Sequence, residues 1–173
     1  GLAEGGYFIS IRDTFGCGID SVVNVLPLAH LYVNGYVINA SCFNTNTASI
    51  VITGLGGVPP YSFAFGGGSF SSTNTLTGLS AGTMTVTIKD ARGCAVDTVL
   101  PIGQPPPLKF NPTLTNVSCY NGNNGQITIN ATGGVPPYMY SINGGTLGNN
   151  NVFSNLISGT YTLRLRDYNL CVK

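Results

Sequence analysis

Gly82-Thr83-Met84-Thr85-Val86-Thr87-Ile88-Lys89-Asp90-Ala91-Arg92-Gly93-Cys94 decides how this chain is read. Met84, Val86 and Ile88 fall on one face and Thr83, Thr85 and Thr87 on the other, the period of two of a half-buried strand. Asp90 to Cys94 reads as a tight turn into a further strand, with Gly93 free to adopt positive φ. The pattern stands again 77 residues earlier, as Tyr7, Ile9 and Ile11 before Asp13 and Cys17, and 77 residues later, as Tyr161, Leu163 and Leu165 before Asp167 and Cys171. In the third copy Leu170 replaces Gly16 and Gly93, so either Asn169 takes the left-handed position or the turn differs.

The offset runs through the rest of the chain. Gly56-Gly57-Val58-Pro59-Pro60-Tyr61 recurs as Gly133-Gly134-Val135-Pro136-Pro137-Tyr138, and residues 34–96 match residues 111–173 at 23 of 63 positions. Ile50 and Ile52, with their copies Ile127 and Ile129, mark another strand. Tyr61, Phe63 and Phe65, with Tyr138, Tyr140 and Ile142, mark one more. The Gly-Gly-Val-Pro-Pro stretch between these two strands is a turn signal. Short alternating strands with turns between them predict an all-β fold of tandem Ig-like antiparallel β-sandwich repeats with a 77-residue period. The expected divisions are the end of a first repeat at 1–27, a complete second repeat at 28–105 and most of a third at 106–173. Gly1 and Lys173 both fall inside repeats, so the expectation is a stretch of a longer repetitive chain.

Composition narrows the function. Only 8% of residues are charged and the formal net charge is +1, where an ordinary soluble domain has about 25% charged residues. Thr, Ser, Asn and Gly take the place of the missing charge. Without a basic run, the electrostatic attraction that dominates nucleic-acid binding is absent, so no nucleic-acid partner is expected. No apolar stretch reaches the roughly 20 residues of a membrane helix, so no membrane insertion is expected.

A β unit of this size buries little surface and needs a staple. Cys42 and Cys94 are 52 residues apart, as are Cys119 and Cys171. That spacing predicts one disulfide within each repeat, Cys42–Cys94 and Cys119–Cys171, and gives Cys17 a partner upstream of the chain. Disulfides imply an oxidising, extracellular compartment. The rival reading, metal binding, requires CxxC or Cys/His clusters, and His30 is the single histidine.

These residues resemble the SprB repeat of Bacteroidota cell-surface proteins. The resemblance rests on Val117-Ser118-Cys119, Asn124 to Ile129, Gly133 to Tyr138, Leu156, Gly159 to Leu163 and Asp167 to Cys171 in the third repeat. The second repeat matches through Ser41-Cys42, Gly56 to Tyr61, Gly78 to Thr83 and Asp90 to Cys94, and the first through Gly1 to Gly5 and Asp13 to Cys17. The resemblance implies a very large cell-surface protein exported by the type 9 secretion system. In that setting the partners are the secretion and surface motility machinery, and some members act as adhesins in gliding motility.

The chain offers little for chemistry. One histidine and six carboxylates supply no base–nucleophile–orienter set, so no catalytic residue, metal site or cofactor is expected and the segment reads as non-catalytic. Asp13, Asp90 and Asp167 read as turn caps, against a calcium reading that would need several acids per site. Asp20-Ser21-Val22 and Asp97-Thr98-Val99 resemble an Asp-Ser/Thr-aliphatic O-glycan acceptor, with Asp13-Thr14-Phe15 a weaker match, so Ser21, Thr98 and Thr14 are candidate glycosylation sites. The alternative is plain polar positions on a half-exposed strand. Loops carrying Phe65, Phe70, Asn143 and Asn149 are the most divergent part of each repeat and the candidate place for a glycan or surface ligand, against the alternative of relaxed hairpin loops. The leading function is a segment of a secreted surface adhesin or filament, a stalk whose first partners are the neighbouring repeats. The alternative is an array of accessory carbohydrate-binding domains of an exported enzyme.

Overall fold

The computed structural model describes residues 1–27 and 29–173. Leu28, the first residue of the expected second repeat, lies outside the described residues. All elements among them are β-strands, and every pairing is antiparallel. The chain is a tandem array of β-sandwich repeats, as the alternation of polar and apolar residues requires.

The second repeat holds six strands in two sheets. One sheet has the order β3 (Tyr32–Ile38), β4 (Ala48–Leu55), β6 (Thr75–Leu79). The other has the order β5 (Ser62–Phe65), β7 (Gly82–Lys89), β8 (Ala95–Ile102). The inward positions of both sheets make one core: Ala48, Ile50 and Ile52 from β4, Phe63 from β5, Val86 and Ile88 from β7, and Ile102 from β8. Burial of these side chains is the main stabilising term, at about 1.5–3 kcal/mol for each large apolar side chain. The third repeat repeats the plan with β9 (Lys109–Thr115), β10 (Gly125–Thr132) and β12 (Val152–Leu156) in one sheet, and β11 (Met139–Ile142) and β13 (Leu163–Arg166) in the other. Ile127, Ile129 and Leu165 fill its core. Residues 1–27, the end of the first repeat, hold a hairpin, β1 (Gly5–Arg12) with β2 (Gly18–Val25), in the same register as β7 with β8.

The Gly-Gly-Val-Pro-Pro turn has a packing reason for its glycines. Gly56 and Gly57 have φ of +70° and +57°, and Gly133 and Gly134 have φ of +71° and +57°. A Cβ on Gly56 would collide with the His30 carbonyl, and one on Gly133 with the Pro107 carbonyl. Gly57 N–H donates to the Ala29 carbonyl and Gly134 N–H to the Pro106 carbonyl. The turn thus clasps the segment entering each repeat, while the Tyr61 and Tyr138 hydroxyls donate back to the Gly56 and Gly133 carbonyls at 2.6 Å.

Each sandwich consequently has two distinct ends. One end gathers the entering segment, the Gly-Gly turn and the turn from Asp90 to Cys94, because Val58 N–H donates to Asp90 Oδ2. The opposite end carries the β3–β4 loop with Cys42, and there Ala40 N–H donates to the Gly103 carbonyl as the chain leaves β8.

Candidate functional site at the joint between repeats

The Asp turn is built on the same plan in all three repeats. Asp13 Oδ1 accepts from the Phe15 and Cys17 N–H groups, Asp90 Oδ1 from those of Arg92 and Cys94, and Asp167 Oδ1 from that of Cys171. In the two complete entry ends the second carboxylate oxygen also accepts, from Val58 N–H and Val135 N–H. Burial opposes the charged form of Asp90, but the N–H groups of Val58, Cys94, Arg92 and Gly93 outweigh it and hold its pKa below the ordinary 3.8. Both oxygens of the Asp90 carboxylate accept from backbone donors, which is the turn-cap role. Leu170, not Asn169, takes the left-handed position of the third turn, with φ of +66° against +87° at Gly16 and Gly93.

The cysteine pairing differs from the expected one. The disulfide joins Cys42 to Cys171, 129 residues apart, with Cα atoms 5.7 Å apart. Cys42 does not bond Cys94 and Cys119 does not bond Cys171; Cys17, Cys94 and Cys119 are free and exposed. The reason is the two-ended architecture. Cys42 and Cys94 lie at opposite ends of a sandwich whose β3 has 7 residues, a separation of about 20 Å at ~3.3 Å per residue. A disulfide tolerates Cα separations only up to about 7 Å. The exit end of one repeat meets the entry end of the next, and the bond forms across that junction.

Polar contacts reinforce it. Asn169 Nδ2 donates to the Ser41 carbonyl at 2.8 Å. Within the second repeat, Gln104 accepts from Asn44 N–H at 2.7 Å and Gly103 N–H donates to Asn39 Oδ1 at 2.8 Å, which holds the Cys42 loop against the segment that leaves β8. Cys42, Phe43 and Thr45 from one repeat, with Pro107, Leu108, Leu170 and Cys171 from the next, line a cleft beside the disulfide. The junction is therefore a covalent joint with a hydrogen bond across it from Asn169 to Ser41.

The other candidate residues are placed as follows. Ser21 and Thr14 are exposed on the hairpin, and Asp20 beside Ser21 pairs with Arg12 at 2.8 Å. Thr98 is half-buried on the side of β8 that carries Val96, Leu100 and Ile102. Phe65 packs against the core, Phe70 lies under the Lys89 ammonium at 4.1 Å, and Asn143 binds Thr162 through both its N–H and its Oδ1. Asn149 is exposed. These loop residues do not converge on one site. Among the described residues no group of three or more His, Cys, Asp or Glu side chains could hold a metal ion, and no helix is long and apolar enough to cross a membrane.

Sandwich repeats of one period, joined exit end to entry end by a disulfide, define a covalently linked tandem β array. Two segments of the chain, residues 36–70 and 111–147, match the SprB repeat. Both matched segments include the first cysteine of a repeat and its Gly-Gly-Val-Pro-Pro turn. A search of curated proteins finds no match.

Proposed function

We propose that this chain is a load-bearing stretch of a large secreted cell-surface adhesin or filament, in which the repeats give length and display and carry out no catalysis. The observation that carries this reading is the joint between repeats. A disulfide confined to one repeat stabilises that repeat alone. The Cys42–Cys171 bond spans two repeats, so tension along the array cannot separate them while it is closed. A stalk needs this property and a soluble enzyme domain does not. An exposed disulfide-bonded array also fits an oxidising exterior, and the SprB-repeat family is one of cell-surface repetitive proteins. Export by the type 9 system, partnership with motility machinery and a role in gliding extend the same reading.

The test is surface display. Antibodies raised against residues 29–173 are expected to label intact, unpermeabilised cells that make the protein, and brief external protease treatment to remove the label. Labelling that requires permeabilisation would overturn the surface reading.

A further inference from the structure

The joint has unused halves elsewhere in the chain. We infer that Cys42–Cys171 is one rung of a staggered ladder, in which the first cysteine of each repeat bonds the second cysteine of the repeat that follows it. By that rule Cys119 takes the second cysteine of a further repeat, and Cys94 takes the first cysteine of a repeat on its other side. The partner is a repeat of this same kind, carrying an Asp-x-x-x-Cys turn or a Ser-Cys-aromatic-Asn loop.

Three observations support it. First, the thiol-presenting geometries are already formed. Cys94 and Cys17 sit in the same Asp turn as Cys171. Cys119 sits in the same loop as Cys42: Ser41 N–H donates to Thr47 Oγ1 and Ser118 N–H to Asn124 Oδ1, and Asn44 and Asn121 both have positive φ, +54° and +58°.

Second, the cleft beside Cys94 is the joint cleft with one wall removed. It is lined by His30, Leu31, Cys94, Ala95 and Val96, which are the columns of Pro107, Leu108, Cys171, Val172 and Lys173 in the joint. What the joint has in addition is Cys42, Phe43 and Thr45 from the preceding repeat.

Third, exposure follows occupancy. Phe43 at the closed joint is 42% exposed, whereas Tyr120 in the same column beside the free Cys119 is 95% exposed. An aromatic ring left that open, beside a thiol in bonding geometry, is the face that a following repeat covers in the closed joint.

The chemistry balances by thiol–disulfide exchange with a small-molecule disulfide. The two cysteine thiols lose their protons and two electrons as the new S–S bond forms. The oxidant's S–S bond breaks and leaves as two small thiols.

The inference does not rest on surface display, because its test uses the purified 173-residue chain. The chain is refolded in a glutathione redox buffer, its remaining thiols are alkylated, and it is digested without reductant. Two linkages are expected: Cys42 to Cys171 within one molecule, and Cys119 to Cys17 or Cys94 of a second molecule. The second should appear as a ladder of oligomers on a non-reducing gel that Cys119→Ser abolishes. A map showing Cys42–Cys94 with Cys119–Cys171, a ladder that persists in Cys119→Ser, or Cys119 recovered fully alkylated would each overturn the proposal.

Discussion

The β1–β2 and β7–β8 hairpins are the same object in two surroundings. Both pair over eight residues in matching register, Gly5 to Val25 and Gly82 to Ile102 at the open end, and both close with the same Asp turn. Yet Val86 and Ile88 are fully buried, while Ile9 and Ile11 in the same columns are 45% and 65% exposed. The hairpin is therefore a local product of alternation and turn chemistry. Its apolar face becomes a core only when β4 and β5 are laid against it, and that is where the stability resides, since an isolated two-stranded hairpin is marginal in water.

Truncating the same column in both hairpins should break the symmetry most strongly. Ile88→Ala is expected to destabilise the second repeat by about 2–5 kcal/mol, the usual cost of a large-to-small change in a packed core. Ile11→Ala should change stability by no more than roughly 0.5 kcal/mol, as for exposed positions. Urea unfolding of the oxidised chain measures both, and equal effects would mean that the first hairpin has a hidden core.

The Asp column gives an intermediate contrast. Asp90 uses one oxygen on its own turn and the other on Val58, whereas the acceptor contacts of Asp13 are within its turn. Asn at 90 would aim an amide NH2 at a donor, while Asn at 13 can keep its oxygen on the turn and turn the amide to solvent. Asp90→Asn should lower the melting temperature by several degrees and Asp13→Asn should leave it nearly unchanged. The pH dependence follows from the depressed pKa of Asp90. Its contribution is complete above the ordinary value near 3.8 and is lost as pH falls through the lower folded value. Wild-type chain should therefore lose stability on acidification below about pH 4 more steeply than Asp90→Asn. Parallel acid titrations would remove this assignment of the carboxylate.

The fold was legible because its signals are local: the alternation in residues 83–88, the turn residues at 90–94 and the recurrence of both at fixed offset. The disulfide pairing was not legible for a definite reason. A repeat period places Cys171 in the column of Cys94, so a bond from Cys42 within its own repeat and a bond into the next fit the sequence equally well. Choosing between them needs to know which end of the sandwich each loop occupies. That follows from the Val58–Asp90 contact and the Ala40–Gly103 contact, each between residues far apart in sequence. The surroundings of the loop aromatics were not legible either. Phe65 and Phe70 both stand beside glycines, yet Phe65 packs onto the core while Phe70 stays 40% exposed beneath the Lys89 ammonium.

The smallest difference between repeats isolates backbone strain from packing. The third turn makes the same bond as the others, with Leu170 N–H donating to the Asp167 carbonyl as Gly93 N–H does to that of Asp90. Leu170 does so at φ of +66° while 67% exposed, so little burial offsets the left-handed backbone. An L-residue with a Cβ is disfavoured there by roughly 1–2 kcal/mol, and part of that gain is returned when glycine loosens the unfolded chain. Leu170→Gly should therefore stabilise the third repeat by about 1 kcal/mol or less. In reverse, a Cβ built at Gly93 meets no atom within 4 Å, so Gly93→Ala should destabilise the second repeat by about 1 kcal/mol through backbone conformation alone. Opposite signs at one column would assign the effect to φ. A loss of stability in Leu170→Gly would instead mean that the leucine side chain contributes to the joint beside Cys171.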